Sequence, residues 1–101
     1  MADTNNNPHV VIVGGGVAGL STAYLIRELG REAGKEVDLT ILESRVRAGG
    51  STRTEITDGY TCEWGPNGFL DNEPATLDLI KRLGLEDNCI SADETASRRF
   101  I

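Results

Sequence analysis

An α/β fold built on a parallel sheet is predicted for this chain by three observations. Residues 10–13 form a wholly apolar run that enters a glycine-rich turn. A helical pattern follows that turn directly. A second strand, residues 36–42, has Val37, Leu39 and Ile41 alternating with Asp38 and Thr40. Strand, helix and strand in that order make a β-α-β unit, whose right-handed crossover leaves the two strands parallel. A first strand that is apolar throughout fits a sheet covered on both faces.

The turn is Gly14-Gly15-Gly16-Val17-Ala18-Gly19. Gly14 permits the bend, Gly16 lets the main chain approach a diphosphate, and Gly19 lets the helix pack closely on the strand. The free N–H groups at the helix start and the aligned peptide dipoles favour an anion there. The helix is predicted over residues 16–29. Ala18, Thr22, Leu25 and Leu29 form one row, Val17, Leu20 and Tyr24 lie beside it, and Gly30 is the stop. Residues 30–35 then connect to strand two.

Strand two delivers Glu43 at its end, where the ribose of a bound dinucleotide lies. A carboxylate accepts hydrogen bonds from both hydroxyls of an unphosphorylated ribose and repels a 2'-phosphate, which favours FAD or NAD over NADP. The fold expected is therefore a Rossmann-like FAD/NAD(P)-binding domain with a parallel sheet. Residues 43–50 read E-x-x-x-R-x-G-G. Arg47 can reach back to a phosphate or to a neighbouring carboxylate, and Gly49 and Gly50 permit a bend against a flat ligand.

Beyond this loop, residues 53–56 and 60–64 flank Asp58-Gly59, a dipeptide that supplies positive φ and signals a tight hairpin. Gly65-Pro66-Asn67-Gly68 is turn-rich. Asp71-Asn72-Glu73-Pro74 caps a helix over residues 74–83, with Leu77, Ile80 and Leu83 on its buried face and Gly84 as its terminator. Phe100-Ile101 reads as the start of another strand. Two or three parallel strands with one crossover helix leave a hydrophobic face exposed, so the domain is expected to be incomplete in this chain and the chain inactive in isolation.

With 101 residues, 39% of them hydrophobic, the chain amounts to one domain at most, and no apolar run is long enough to cross a bilayer. Residues 1–8 are polar and are expected to be a disordered tail, with residues 9–101 forming the N-terminal portion of an FAD-binding domain. The tail lacks the basic and apolar regions of a secretory signal, which points to the cytoplasm. Cys62 and Cys89 share no metal-ligand spacing with His9, the sole histidine, and are expected to be reduced and partly buried. Ten Lys and Arg against sixteen Asp and Glu give a net charge of −6, which argues against nucleic acid as a partner. Arg45, Arg47 and Arg53 nevertheless cluster after strand two, as suits a phosphate ligand, while Arg98 and Arg99 are expected to form a solvated pair.

The E-x-x-x-R-x-G-G segment resembles the stretch that marks the adenosine-diphosphate half of FAD in amine-oxidase-like flavoproteins. That motif ordinarily continues with Arg, where this chain has Ser51. Residues 63–70, E-W-G-P-N-G-F-L, with Glu73-Pro74-Ala75-Thr76, Leu83-Gly84-Leu85 and the closing Arg98-Arg99-Phe100-Ile101, resemble the porphyrinogen oxidase branch of that superfamily. The resemblance runs from His9 to Ile101.

It implies an FAD-dependent oxidoreductase of haem biosynthesis. Such an enzyme converts protoporphyrinogen IX to protoporphyrin IX with O2 as acceptor and hydrogen peroxide formed; in related bacterial enzymes the substrate is coproporphyrinogen III. It also implies roles by position. Gly14, Gly15, Gly16, Val17, Ala18 and Gly19 would hold the pyrophosphate, and Glu43 and Ser44 the adenosine ribose region. Ser51 would make the loop contact, and Gly65, Pro66, Asn67 and Gly68 would lie along the flavin. Asn67 is open to two readings, one facing the substrate and one as a turn residue bonded to its own backbone. No residue here is assigned to catalysis or to a metal. Peripheral attachment to the inner membrane is frequent in the family. Two other readings stand beside this one: another amine-oxidase-like flavoprotein such as a desaturase, and a dinucleotide-binding module without turnover.

Overall fold

The computed structural model describes residues 6–97, so the closing Arg98-Arg99-Phe100-Ile101 strand expected from the sequence lies outside the described residues. The chain forms two compact units, one ending at Gly68 and the other starting at Phe69.

In the first unit, β1 (His9–Val13), α1 (Val17–Glu32) and β2 (Asp38–Leu42) make the expected β-α-β unit with parallel strands. The register sets Val10 opposite Leu39 and Ile12 opposite Ile41, which puts these four apolar residues on one face of the sheet. Helix α1 covers that face. On the other face Val11, Val13 and Leu42 are 50%, 85% and 53% exposed, and the His9 ring and the Thr40 hydroxyl share a 2.8 Å hydrogen bond. Cover on both faces, expected from the apolar first strand, is thus not found. Asn7 and Pro8 are tied to the connector before β2: the Asn7 amide donates to Glu36 at 3.3 Å and the Pro8 carbonyl accepts the Asp38 N–H at 2.9 Å.

The helix meets the sheet through a different row from the one its leucines suggest. Ala23 and Gly30 are its buried residues, and Gly19 and Ile26 on the same row are half-buried. Leu25 and Leu29 are exposed, the latter 59%. A row of short side chains brings the helix axis close to the strands, and the bulkier leucines then have no room on that side.

The helix also runs past Gly30. It ends at Glu32, and Gly34, with φ +65°, is the terminator: the Gly34 N–H bonds the Arg31 carbonyl and the Lys35 N–H bonds the Gly30 carbonyl, closing a Schellman motif. Gly30 serves packing instead. A Cβ there would sit 2.9 Å from the Lys35 carbonyl oxygen and 3.3 Å from Val37 Cγ2. Gly30→Ala is therefore expected to destabilise the protein by about 1–3 kcal/mol from overpacking, although Ala favours a helix interior by about 1 kcal/mol. A lower urea midpoint would show this, and an unchanged or raised midpoint would contradict it.

After the loop that follows β2, β3 (Thr54–Thr57) and β4 (Tyr60–Glu63) form the antiparallel hairpin expected from Asp58-Gly59. Both turn residues have positive φ, +52° and +80°, as a two-residue hairpin matched to the strand twist requires. Side chains knit the hairpin together. The Thr54 hydroxyl donates to the Glu63 carboxylate, the Trp64 indole N–H donates to Glu55 at 2.7 Å, and the Arg53 guanidinium stacks 5.0 Å from the Trp64 ring centre. All of β4 is exposed, so Cys62 is free and exposed rather than partly buried; Cys89 is likewise free and exposed.

The second unit holds α2 (Pro74–Arg82) and two short 3-10 turns, Glu86–Asn88 and Glu94–Ser97. Pro74 opens α2 and Gly84 (φ +68°) follows its last turn, both as expected. The cap is Glu73, and no side chain caps it, so the Asp71-Asn72 pair does not play that part. Leu77 and Leu83 are exposed and Ile80 half-buried, so the expected apolar face is not buried. Among the described residues no helix is long and apolar enough to cross a membrane.

Candidate functional site

At the carboxyl end of β1 the chain must leave the sheet and begin a helix within three residues. Gly14 still donates to the Leu42 carbonyl at 2.7 Å and then turns with φ +103°, a region that L side chains avoid. Gly16 is the N-cap of α1 in extended backbone, with no side chain bonded to the helix end and no acidic residue in the first turn. The first helical bond runs from the Leu20 N–H to the Gly16 carbonyl. The N–H groups of Val17, Ala18 and Gly19 therefore precede the i→i−4 ladder and have no intrahelical acceptor.

The surroundings of the glycines in this turn differ. A Cβ on Gly19 would collide with the Gly14 carbonyl oxygen and lie 3.4 Å from Ile12 Cγ2, so Gly19 sets the approach of helix to strand, as expected. A Cβ on Gly16 would meet only Gly50 Cα, at 4.0 Å. Nothing in the protein itself demands glycine at that point, and the space beside it is open.

Glu43 closes the site from the end of β2. Its Oε2 accepts the Gly15 N–H at 2.7 Å and its Oε1 accepts the Arg45 N–H at 3.0 Å. These bonds hold the carboxyl below the usual carboxylate range; the Arg45 N–H contributes most, then the Gly15 N–H, against an opposing effect of desolvation, with the Arg45 charge and the Ser44 N–H adding lesser contributions. Each oxygen of an ionised carboxylate accepts more than one bond, so both remain able to receive a ribose hydroxyl. The Gly15 N–H is already engaged, which leaves the amides of residues 17–19 as the donors facing the open side.

The second loop lies against the first. The Gly49 N–H donates to the Gly15 carbonyl at 2.7 Å, and a Cβ on Gly50 would come 3.3 Å from Gly16 Cα. Two glycine pairs, 15–16 and 49–50, thus face each other main chain to main chain. Arg47 does not join a carboxylate: among the described residues it makes no ion pair, and its guanidinium donates to the carbonyls of Ala48, Gly50 and Thr52. Arg53 is engaged with Trp64 and lies 3.8 Å from Glu55. Two of the three arginines expected to form one phosphate cluster, Arg47 and Arg53, are therefore engaged with other groups of the protein.

Gly65 is drawn up to this loop as well, since a Cβ on it would collide with the Ser51 carbonyl oxygen. Ser44 and Ser51 are exposed, and so are Pro66, Asn67 and Gly68 after Gly65. The structure thus gathers Gly14–Gly16, Gly19, Glu43, Gly49–Ser51 and Gly65, and shows no contact that brings residues 66–68 onto the glycine turn. Among the described residues no group of His, Cys, Asp or Glu could hold a metal ion. The site fits a dinucleotide: an open helix start with free amides, a glycine whose missing Cβ leaves room for a ligand, and a carboxylate with acceptor capacity to spare.

Residues 17–101 match the family model described as flavin containing amine oxidoreductase. Coproporphyrinogen III oxidase of Bacillus subtilis (strain 168) is 39% identical over 83 residues, 82% of this chain and 18% of that protein. L-amino acid oxidase Lm29 of Lachesis muta is 35% identical over 100 residues, 97% of this chain and 18% of that protein. A crystal structure of an Exiguobacterium sp. 255-15 protein, assigned as a protoporphyrinogen oxidase, superposes with a TM-score of 0.65 at 34% identity, covering 84% of this chain and 18% of that one. The chain thus spans less than a fifth of the length of these relatives. FAD is the cofactor that the family match implies. On this match the chain belongs to the flavin containing amine oxidoreductase family.

Proposed function

We propose that the protein is an FAD-dependent porphyrinogen oxidase and that residues 9–101 form the N-terminal part of its FAD-binding domain. The observation that carries the cofactor half of this reading is the Glu43 carboxylate bonded to the Gly15 N–H beside an uncapped helix start. One ligand with a ribose and a diphosphate in sequence satisfies both ends of that arrangement. The Val17, Ala18 and Gly19 amides would hold the diphosphate, Glu43 the ribose hydroxyls, and the Gly49-Gly50 wall would shut water out on one side. The chemistry that bound FAD supplies is acceptance of hydride from a reduced tetrapyrrole.

The substrate half rests on relatives: those named coproporphyrinogen III oxidase and the structure assigned as a protoporphyrinogen oxidase. The substrate class is a porphyrinogen, either protoporphyrinogen IX or coproporphyrinogen III, with molecular oxygen as the final acceptor. Cytoplasmic placement belongs to the same proposal.

Anaerobic mixing of the flavin-loaded full-length protein, of which this chain is the FAD-binding part, with each candidate tests it. Protoporphyrinogen IX or coproporphyrinogen III is expected to bleach the oxidised flavin band within seconds, and air to restore it with a porphyrin product. Bleaching by an L-amino acid and by neither porphyrinogen would assign the protein to the other activity named among its relatives.

A further inference from the structure

We propose that Arg47 is a positioning residue of the cofactor site, one that shapes the second loop through main-chain carbonyls and does not grip a phosphate. The proposal rests on the reading of the site as an FAD site. Its basis is the geometry of the guanidinium. One terminal nitrogen donates to the Ala48 carbonyl at 3.1 Å and to the Thr52 carbonyl at 3.2 Å, while the other donates to the Gly50 carbonyl at 2.9 Å. Three of the five N–H donors are thus directed into the loop, and both hydrogens of one terminal nitrogen are used.

Such convergence of carbonyls needs an unusual backbone, and Gly49 (φ +111°) and Gly50 (φ +60°) provide it. The guanidinium also packs on Gly49, where a Cβ would stand 3.1 Å from the donating nitrogen. The loop curls around a cation on its inner side. Its outer side then carries the contacts that build the site: the Gly49 N–H on the Gly15 carbonyl and Gly50 against Gly16. A planar fork spans three acceptors at once, whereas a lysine ammonium is a single point of charge that cannot reproduce the span.

Arg47→Lys and Arg47→Gln separate this from a phosphate-gripping role. Two readouts are combined: amide hydrogen exchange in the ligand-free protein, and FAD affinity as a function of salt. In both variants the Gly49 and Thr52 amides are expected to exchange at least about tenfold faster while the Leu20 and Asp38 amides keep their wild-type protection, which shows that the fold is intact. FAD affinity should fall about tenfold in both variants, with the same salt dependence as the wild type. Wild-type affinity in Arg47→Lys, or unchanged loop exchange with a weaker salt dependence in Arg47→Gln, would overturn the proposal and make Arg47 a phosphate contact. A wild-type protein that takes up no FAD would instead remove the site reading itself.

Discussion

Gly16→Val is expected to keep the fold and lose the cofactor, whereas Gly19→Ala is expected to lose both. The two glycines stand three residues apart in one turn, yet their surroundings differ in kind. At Gly16 the backbone has φ −78° and ψ −174°, which any residue adopts, and a Cβ would find its nearest atom 4.0 Å away. A β-branched side chain there costs the protein little, about 1 kcal/mol or less for a poorer N-cap. It would, however, stand where a diphosphate must approach, and FAD affinity should drop at least about a hundredfold, or roughly 3 kcal/mol. At Gly19 even one methyl group falls on the Gly14 carbonyl, a main-chain atom that cannot step aside. Overpacking against backbone puts that cost at about 3 kcal/mol or more. Urea unfolding followed by circular dichroism and FAD titration followed by fluorescence separate the two. Wild-type FAD affinity in Gly16→Val would mean that no ligand comes close to this residue. Gly30→Val would not serve as a neutral control, because Gly30 is itself packed on Lys35 and Val37.

Replacing Glu43 produces the second large effect. Glu43→Gln keeps the shape but halves the acceptor capacity and removes the charge, and FAD affinity should fall about tenfold. Glu43→Arg puts a donor where two N–H groups and the ribose hydroxyls all need an acceptor, and affinity should fall about a hundredfold or more. Acid should mimic the first change. The folded-state pKa of Glu43 is lowered by the Arg45 and Gly15 N–H groups, so the contribution of the ionised form is present above the ordinary carboxylate pKa and is lost as the pH falls through the depressed value. FAD affinity is therefore expected to be level through neutral and mildly acidic pH and to decline only below the usual carboxylate range. Glu43→Gln should remove that part of the decline. Equal acid sensitivity in wild type and Glu43→Gln would show that another group controls it.

Much of this site was legible in the sequence because it depends on backbone rules tied to residue type. Gly14, Gly16 and Gly19 stand where a strand must turn into a helix, and an acid at the end of the second strand lies beside that turn in any parallel β-α-β unit. The Asp58-Gly59 hairpin followed from positive φ in the same way. Contacts between loops were not legible. The bond from the Gly15 N–H to Glu43 joins residues 28 apart, and the Arg47 fork depends on a loop path that no periodicity encodes. Two glycine pairs in one chain were the available signal, since facing glycines allow main chains to touch. The face of α1 was misjudged for a related reason: hydrophobic patterning gives weight to Leu25 and Leu29, while the helix packs through Gly19, Ala23 and Gly30, which have little or no side chain to count. Exposed Val11, Val13 and Leu42 show the converse, an apolar strand face that the single crossover helix does not reach.

On the proposed reading, the glycine turn and Glu43 together hold the adenosine-diphosphate half of FAD. Backbone amide resonances of the labelled protein, followed while FAD is added, test it most directly. The Val17, Ala18 and Gly19 amides are expected to shift in step with saturation, together with the Gly15 and Arg45 amides that bond Glu43. Saturation with FAD that leaves these five amides unmoved and shifts others instead would contradict it.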